Sequence, residues 1–257
     1  AQITRELGRK IVVLHSGECK AGLLVRLELA ATRREASQTL RRWIQVLKGL
    51  SPRAWREWRN AKRKAFDAGF DVVEDTHSDS VSHVSTVTCP AALAAGEAAG
   101  AGGRDVLAAI VGANEVVTRI GMAASGAFHK RGFHPTAICG IFGATAAAAR
   151  LGGLDRAAAA SALGLAGSMA SGIFAYLEDG TATKPLHPAW AAHGGLIAAR
   201  LAAHGADGPP SVIEGKFGLY HAFLGAEKGE IDIESQLADL GSRWETPRIA
   251  YKPYPAC

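Results

Sequence analysis

The amino-acid sequence predicts a mainly α-helical fold, and three observations support this prediction. Alanine and glycine supply 80 of the 257 residues (50 Ala and 30 Gly), a composition typical of helices that pack with their backbones close together. Between residues 104 and 124, apolar residues recur at spacings of three and four. No segment of useful length alternates apolar and polar residues, and no βαβ pattern or glycine-rich phosphate loop occurs.

The overall composition is that of an ordinary globular protein, with 48% hydrophobic and 21% charged residues. It excludes a disordered, collagen-like or disulfide-rich chain. The formal net charge of +5 is uneven, because residues 1–75 carry 16 basic and 9 acidic side chains whereas residues 76–257 carry 13 and 15. A basic segment can bind nucleic acid, but no zinc-finger spacing or stacking motif is present, so we favour a solvated helical surface and predict no nucleic-acid partner.

The four cysteines, Cys19, Cys89, Cys139 and Cys257, are widely separated and form no CxxC pair. Cys89 and Cys139 lie among small apolar residues, so we expect buried free thiols in a reducing, cytoplasmic compartment. No apolar run reaches the length of a membrane span and no signal peptide is recognisable, so no membrane association is expected.

The chain changes character near residue 70. Residues 1–70 form a basic N-terminal segment that we expect to be helical at 24–47 and again after the Ser51-Pro52 start signal. The stretch 71–85 is polar and has no helical period, so it is predicted to be a loop.

After this loop, each helix is assigned from a start signal, an apolar spacing or a break. Pro90 is expected to start one helix, which the Gly102-Gly103 pair ends, and Asp155 to cap another. The glycine-containing stretches 126–133 and 176–188 are predicted loops. The predicted helices span residues 90–101, 104–124, 135–149, 156–170 and 189–204, with shorter pieces at 212–220 and 233–240, and residues 244–257 are predicted to be extended.

Four polar segments between the apolar helices are the candidate functional sites. They are 74–77 with His83, 130–135, 183–187 and 252–255. His134 and Lys184 stand beside expected helix starts, where free backbone N–H groups and a partial positive charge favour a carboxylate. With Arg131 and His187, these groups suit a small polycarboxylate, and a histidine with a pKa near neutrality can move a proton.

Each segment also has an interpretation without chemistry. A loop histidine is often a cap or solvated, a lysine before proline is often exposed, and Asp75-Thr76-His77 is also the pattern of an Asx-type turn or helix cap. No metal ligands are predicted, because His77 and His83 are six residues apart without a third clear ligand for zinc. The G-x-S-x-G elbow of a serine hydrolase is missing, and Cys257 as a nucleophile has no supporting pattern.

The same segments carry a resemblance to a known family. The matching stretches, in chain order, are EDTHSDSVSHVSTVTCPAALAAGE, RGFHPTAICGIFGATAAAARLGGL, TATKPLHPAWAAHGGLIAARLA, EGKFGLYHAF and YKPYPAC. Over residues 74–257 the sequence resembles the MmgE/PrpD family, which includes 2-methylcitrate dehydratase, cis-aconitate decarboxylase and iminodisuccinate epimerase. The resemblance implies a large all-helical domain, a homodimer and no cofactor. It also implies proton abstraction next to a carboxylate of a small di- or tricarboxylate.

The polar segments and the resemblance together assign roles to individual positions. The expected catalytic residues are His134 from the FHP motif, Lys184 from the TKPLH motif, His83 and Asp75. The expected substrate-binding residues are Thr76, His77, Arg131, His187, Lys252 and Tyr254. The last two belong to a K-x-x-P stretch that, in the family, leads into a smaller, lid-like α+β domain.

The sequence also departs from the family pattern. Val72 and Glu74 replace residues of an expected D-F-D-D-T run, and Val84 stands where proline usually follows the loop histidine. Residues 1–70 lack the expected helical pattern, as an out-of-frame or strongly diverged stretch would. We therefore expect a poorly matching segment at 1–70, the helical domain at 71–243, and at 244–257 the start of a connection to a lid domain largely absent from this chain.

The reaction expected first is a hydro-lyase reaction, a dehydration like that of 2-methylcitrate. His134, or as second choice His83, abstracts the proton α to a carboxylate, while Lys184 and Arg131 hold carboxylates and stabilise the enediolate. Decarboxylation of cis-aconitate, or epimerisation of iminodisuccinate, needs the same carbanion-stabilising groups, and the residues do not separate these reactions. A further alternative is an inactive, truncated helical module that dimerises and binds an anionic partner through its basic first third.

Overall fold

The chain divides into two units, which are described separately. The computed structural model describes residues 11–13, 25–27, 75–226, 231 and 233–251. In the first unit, Ala1–Ser51, strands β1 (Ile11–Val13) and β2 (Val25–Leu27) pair antiparallel. The helix predicted at 24–47 is therefore wrong at Val25–Leu27, where a strand forms; β1 opposite it is a run of β-branched residues, which favour strands. The rest of the predicted N-terminal helices lies outside the described residues.

The described residues of the second unit, Pro52–Cys257, are mainly helical, as predicted. The helices are α1 (Ser85–Ala99), α2 (Gly103–Ala123), α3 (Ala127–Lys130), α4 (Pro135–Leu151), α5 (Arg156–Gly167), α6 (Tyr176–Asp179), α7 (Leu186–Ala203), α8 (Leu219–Leu224) and α9 (Ile233–Leu237), followed by a 3-10 turn at Thr246–Arg248. Strands β3 (Asp75–Thr76) and β4 (Ala250–Tyr251) pair antiparallel and join the two ends of the described helical part.

Helix α4 is the central helix of this unit and packs against α1, α2, α5 and α7. Fourteen of its 17 residues are buried. A β-carbon on Gly195 of α7 would lie 2.5 Å from Cβ of Ala144 and 2.7 Å from the backbone nitrogen of Thr145. A β-carbon on Gly143 would meet Val117 of α2. Glycine at these positions therefore lets the helices approach closely, which confirms the packing predicted from the Ala and Gly content.

The start of α1 differs from the prediction. Pro90 was expected at the first turn, but the helix begins at Ser85 and Pro90 lies inside it. The reason is a distant cap: both carboxylate oxygens of Asp75 lie 3.1 Å from the backbone nitrogen of Ser85 and accept its N–H. A carboxylate at a helix N-terminus satisfies an otherwise unpaired donor and interacts favourably with the helix dipole.

Other helix boundaries agree with the prediction only in part. The range 104–124 matches α2, and Asp155 caps α5 by accepting the N–H of Ala158 at 2.8 Å, as predicted. The predicted loop 126–133 contains the short helix α3, and the predicted loop 176–188 contains α6 and the first turn of α7. The helix expected at 212–220 forms later, as α8.

The structure also tests the expectations about membrane-spanning length and about buried thiols. Helix α2 is long and apolar enough to cross a membrane, with a mean hydropathy of 1.4 over 18 residues, contrary to the expectation that no run reaches that length. Half of that stretch is buried inside the unit, as in the core helix of a globular domain. Cys139 is a buried free thiol as predicted, whereas the free thiol of Cys89 is only half-buried.

A buried polar network holds the last described residues against α2. Glu115 and Arg119 lie one turn apart on α2 and form an ion pair at 3.2 Å. Glu115 also accepts the backbone N–H groups of Glu245 and Thr246 at 2.8 and 2.9 Å, and Arg119 donates to Asp239 at 2.7 Å. Removing one partner of a buried ion pair leaves an uncompensated charge, so these contacts are costly to break. The network therefore holds in place the segment that leads into β4.

We predict that Gly195→Ala destabilises the protein by about 1–3 kcal/mol, because the added methyl group meets the backbone of α4, which cannot rotate away. The matched control is Gly112→Ala in the exposed middle of α2, where a β-carbon meets nothing within 4 Å. That variant should gain up to about 1 kcal/mol from helix propensity. Chemical denaturation of both variants measures the two changes, and equal effects would contradict the close packing of α4 and α7.

Candidate active site

The N-termini of the two central helices meet at a pair of histidines. His134 is the N-cap of α4, in extended conformation, and its backbone N–H donates to the carbonyl of Gly172 at 3.0 Å. His187 is the second residue of α7. The Nδ1 atoms of the two imidazoles are 3.0 Å apart. The FHP and TKPLH motifs, 53 residues apart in sequence, are therefore in direct contact.

Aromatic side chains enclose this histidine pair. The ring of Phe174 lies 5.3 Å from that of His134 and 4.9 Å from that of His129, and the ring of Tyr176 lies 5.6 Å from that of His187. The sequence analysis did not identify Phe174, Tyr176 or His129 as site residues. Their signal in the sequence is slight: two aromatic residues at alternate positions, shortly before the TKPLH motif.

The environment of His134 disfavours its charged form. The side chain is 3% exposed, and this burial lowers the pKa of His134 to about 2. The positive charges of His187, His83, Lys184 and His129 lower it in the same direction. Burial also lowers the pKa of His187, which is half-buried. His134 is therefore a neutral imidazole across the physiological pH range.

His83 lies beside this pair with a defined tautomer. Its Nδ1 is 2.8 Å from the backbone carbonyl oxygen of Asp75 and 3.2 Å from Oγ1 of Thr76. Because a carbonyl oxygen only accepts, Nδ1 carries the proton and Nε2 has the lone pair when the ring is neutral. The backbone N–H of His83 donates to Oγ1 of Thr136 in the first turn of α4 at 3.0 Å, so the loop is tied to the same helix terminus.

Asp75 lies next to the site but its carboxylate caps α1. The side chain is 7% exposed and accepts the N–H of Ser85, and its backbone carbonyl orients His83. The structure thus gives Asp75 a positioning contact to a predicted catalytic residue. It places no contact between the Asp75 carboxylate and His134 among the described residues.

His77 is placed away from the histidine pair. It is 1% exposed, its Nδ1 accepts the backbone N–H of Ser80 at 3.3 Å, and its Nε2 lies 3.2 Å from Glu245. Since Nδ1 accepts, Nε2 carries the proton and donates to the Glu245 carboxylate. Both ring nitrogens are thus used inside the buried network, which favours a structural role over the predicted substrate contact.

The remaining predicted site residues fall into three groups. Lys184 is half-buried just before α7 and close enough to His134 for its charge to lower the pKa of that imidazole. Arg131 is exposed and donates to the backbone carbonyl of Leu224 at 2.6 Å, so it joins α3 to the end of α8. Lys252 and Tyr254 lie outside the described residues.

The residues that the structure brings together are His83, His134, His187 and Lys184, with Thr76 and Thr136 holding the loop in place. They lie at the N-termini of two helices of 17 and 18 residues, whose dipoles attract an anion. The free N–H groups expected at the start of α7 are not present, because Leu186 and His187 donate to the carbonyls of Thr183 and Lys184. Basic side chains, neutral imidazoles and helix N-termini are suited to hold a carboxylate and to transfer protons beside it.

Within the described part of the chain, no three His, Cys, Asp or Glu side chains are grouped so that they could hold a metal ion.

Comparison with known proteins shows a family profile and relatives that match this chain. The profile of the MmgE/PrpD N-terminal domain matches residues 66–232. A cis-aconitate decarboxylase-like protein of Aspergillus oryzae is 32% identical over 191 residues, covering 70% of this chain and 39% of that protein. A cis-aconitate decarboxylase of Aspergillus terreus is 31% identical over 195 residues, covering 72% of this chain and 39% of that protein. The chain thus spans about two fifths of the length of these relatives.

The depressed pKa of His134 makes folding sensitive to acid. Below pH 6.5 a histidine in the unfolded chain takes up a proton that folded His134 does not, so this contribution to stability is present above pH 6.5 and is lost as the pH falls towards about 2. We predict that the free energy of unfolding falls with a contribution from His134 that approaches ~1.4 kcal/mol per pH unit below pH 5.5.

The variant His134→Asn keeps an amide where Nδ1 lies but does not titrate, so its unfolding free energy should fall less steeply with acid. Urea denaturation between pH 4.5 and 7.5 measures both slopes, and the difference between the two curves isolates His134. Parallel curves would show that the ring is not kept neutral by the fold.

Proposed function

The chain belongs to the MmgE/PrpD family, and from this premise we propose that it forms the helical part of a lyase that acts on a small di- or tricarboxylate without a cofactor. The observation that carries this proposal is the convergence of His83, His134, His187 and Lys184 at the paired N-termini of α4 and α7. The chain spans 39% of the length of its relatives, so the proposal concerns the activity of the whole protein that contains it.

Substrate binding is assigned to Lys184 and the two helix N-termini. An ammonium group holds a carboxylate through charge-assisted hydrogen bonds, and the helix dipoles favour the negative charge at this end. Arg131, the other cation expected in this role, donates to the carbonyl of Leu224 instead. Lys184 is therefore the proposed primary carboxylate ligand.

The roles of the two histidines follow from their environments. A general base works best when its pKa lies near the working pH, and a histidine with a pKa of about 2 is a poor base. Neutral His134 is better suited to donate a hydrogen bond, and then a proton, to the charge that develops on the substrate. His83 presents a lone pair at Nε2, because its Nδ1–H is held by Asp75. We therefore assign His134 as the proton donor in each of the candidate reactions, and His83 as the base in a dehydration or an epimerisation, the reverse of the order expected from the sequence.

The reaction type is proposed from the relatives. The two described above are named cis-aconitate decarboxylase or decarboxylase-like. Their names favour decarboxylation of cis-aconitate over the dehydration of 2-methylcitrate that the sequence alone placed first, and over epimerisation of iminodisuccinate. Decarboxylation and dehydration both build up negative charge next to a carboxylate. The N-terminal ends of α4 and α7, with their partial positive charges, stabilise this negative charge. Homodimerisation, as the family resemblance implies, is part of this proposal.

The proposed activity is tested by incubating the protein with cis-aconitate, 2-methylcitrate and iminodisuccinate and following each by proton NMR. We expect loss of carbon dioxide from cis-aconitate. The variant His134→Gln should reduce this turnover by about 10²-fold or more, because it removes the donor that protonates the carbanion left when carbon dioxide departs. His193→Gln is the control, since His193 stacks on Trp190 farther along α7. If the protein converts none of the three carboxylates, the proposal is contradicted.

The carboxylate-binding role of Lys184 is tested separately. Lys184→Met should raise KM by about 10–100-fold, the factor expected when one charged hydrogen bond of 1.5–3 kcal/mol is lost. Lys184→Arg should recover part of the loss because it restores the positive charge. The matched control is Lys216→Met, which removes an exposed lysine placed over Phe217. An unchanged KM for Lys184→Met would exclude this assignment.

A further inference from the structure

The contact between the two Nδ1 atoms of His134 and His187 restricts where their protons lie. At a separation of 3.0 Å, one nitrogen donates and the other accepts, so a single proton occupies the space between the rings. If His187 is the donor, the neutral His134 ring carries its own proton on Nε2. If His134 is the donor, its Nε2 has only a lone pair. The proton between the rings therefore decides which form His134 presents.

The surroundings of the pair are positively charged. The groups that face it are His83 from the loop before α1, His129 from α3, Lys184 from the segment before α7 and Tyr176 from α6. Phe174 covers His134, and the N-termini of α4 and α7 add their partial positive charges. In this setting a second proton on buried His134 is disfavoured, whereas His187 is half-buried and closer to solvent.

We propose that His187 is a positioning residue that donates its Nδ1–H to Nδ1 of His134 and thereby replaces, at Nδ1, the proton that His134 passes to the substrate from Nε2. This inference rests on the proposed function and assigns to His187 a role different from the substrate contact expected from the sequence. His134 touches the substrate, and His187 acts through it.

The proton transfer is balanced without a charged His134. The Nε2–H bond of His134 breaks as its proton goes to the substrate, and the Nδ1–H bond of a cationic His187 breaks as its proton goes to Nδ1 of His134. His134 is neutral before and after, with its proton moved from Nε2 to Nδ1, and His187 becomes neutral. The reverse movement, in which Nε2 of His134 takes up a proton and Nδ1–H returns to His187, resets the pair.

This arrangement explains how a ring buried among cations serves as an acid. A single buried imidazole here would have to become cationic before donating, which the surrounding charges oppose. With two rings in series, the positive charge forms on the more exposed His187 when it takes up a proton, and His134 only exchanges tautomers. The 3.0 Å contact is the geometry that such a relay requires.

The experiment combines nitrogen-15 NMR of the histidine rings with kinetics on three variants. In the wild type, His134 should show a protonated Nε2 and an unprotonated Nδ1. His187→Asn keeps an N–H donor near Nδ1 of His134 but cannot hold a transferable proton. It should preserve this tautomer while kcat falls about 10²-fold or more with little change in KM. His187→Phe removes the donor, so His134 should become a mixture of tautomers.

The pH profile provides a readout that a merely structural role would not change. The fall of wild-type kcat with rising pH should report loss of the proton on His187, and it should disappear in His187→Asn. The control His193→Asn should retain the wild-type profile. A His134 protonated at Nδ1 in the wild type, or a His187→Asn variant with wild-type kcat and profile, would overturn the inference.

The NMR measurement does not depend on turnover, so the two proposals fail separately. A protein that converts none of the carboxylates but shows the expected tautomers refutes the proposed function and supports the pairing. A protein that is active but has wild-type tautomers in His187→Phe refutes the pairing and supports the proposed function.

Discussion

The close approach of α4 and α7 is the constraint on which the rest of the helical unit depends. Gly195 lies eight residues after His187 on α7, and it packs against the backbone at Ala144, which lies ten residues after His134 on α4. Because the two histidines are also in contact, the two helices run side by side in the same direction. Parallel helices place their N-termini at one end of the unit, where their dipoles add. Small residues on α4 thus determine both the density of the core and the position of the histidine pair.

A second set of contacts holds the loop residues 75–83 at the same end of the unit. Thr76 ends strand β3 and His77 follows it in a bridge with Ser82, and in this extended stretch neighbouring side chains point to opposite sides. Thr76 therefore reaches His83, while His77 reaches Glu245 in the buried network. Glu115 and Arg119 hold that network on α2, and Thr136 holds the backbone of His83 on α4. The loop is thereby fixed from two helices, which keeps the Nε2 lone pair of His83 in a defined orientation. The precision of the site comes from residues that do not touch a substrate.

The sequence predicted much of the fold and part of the site. The spacing of apolar residues located α2, and the FHP and TKPLH motifs predicted a candidate site at His134, His187 and Lys184, which the structure brings close together. The sequence did not reveal that Asp75 caps α1, because that cap comes from ten residues away and moves the helix start ahead of Pro90. Likewise, local sequence assigned Arg131 to the site, whereas its partner is the carbonyl of Leu224, 93 residues later.

What the sequence determined by itself is the helical class, the family and the types of residue at the site. Composition, periodicity and local motifs carry this information, since each depends on neighbours a few residues apart. Only the tertiary structure decided which histidine is neutral, which has its proton held on Nδ1, and which belongs to the structural network. Those properties depend on burial and on long-range partners such as Phe174 for His134 and Glu245 for His77, which desolvate or orient a ring that in sequence is only a histidine in a loop.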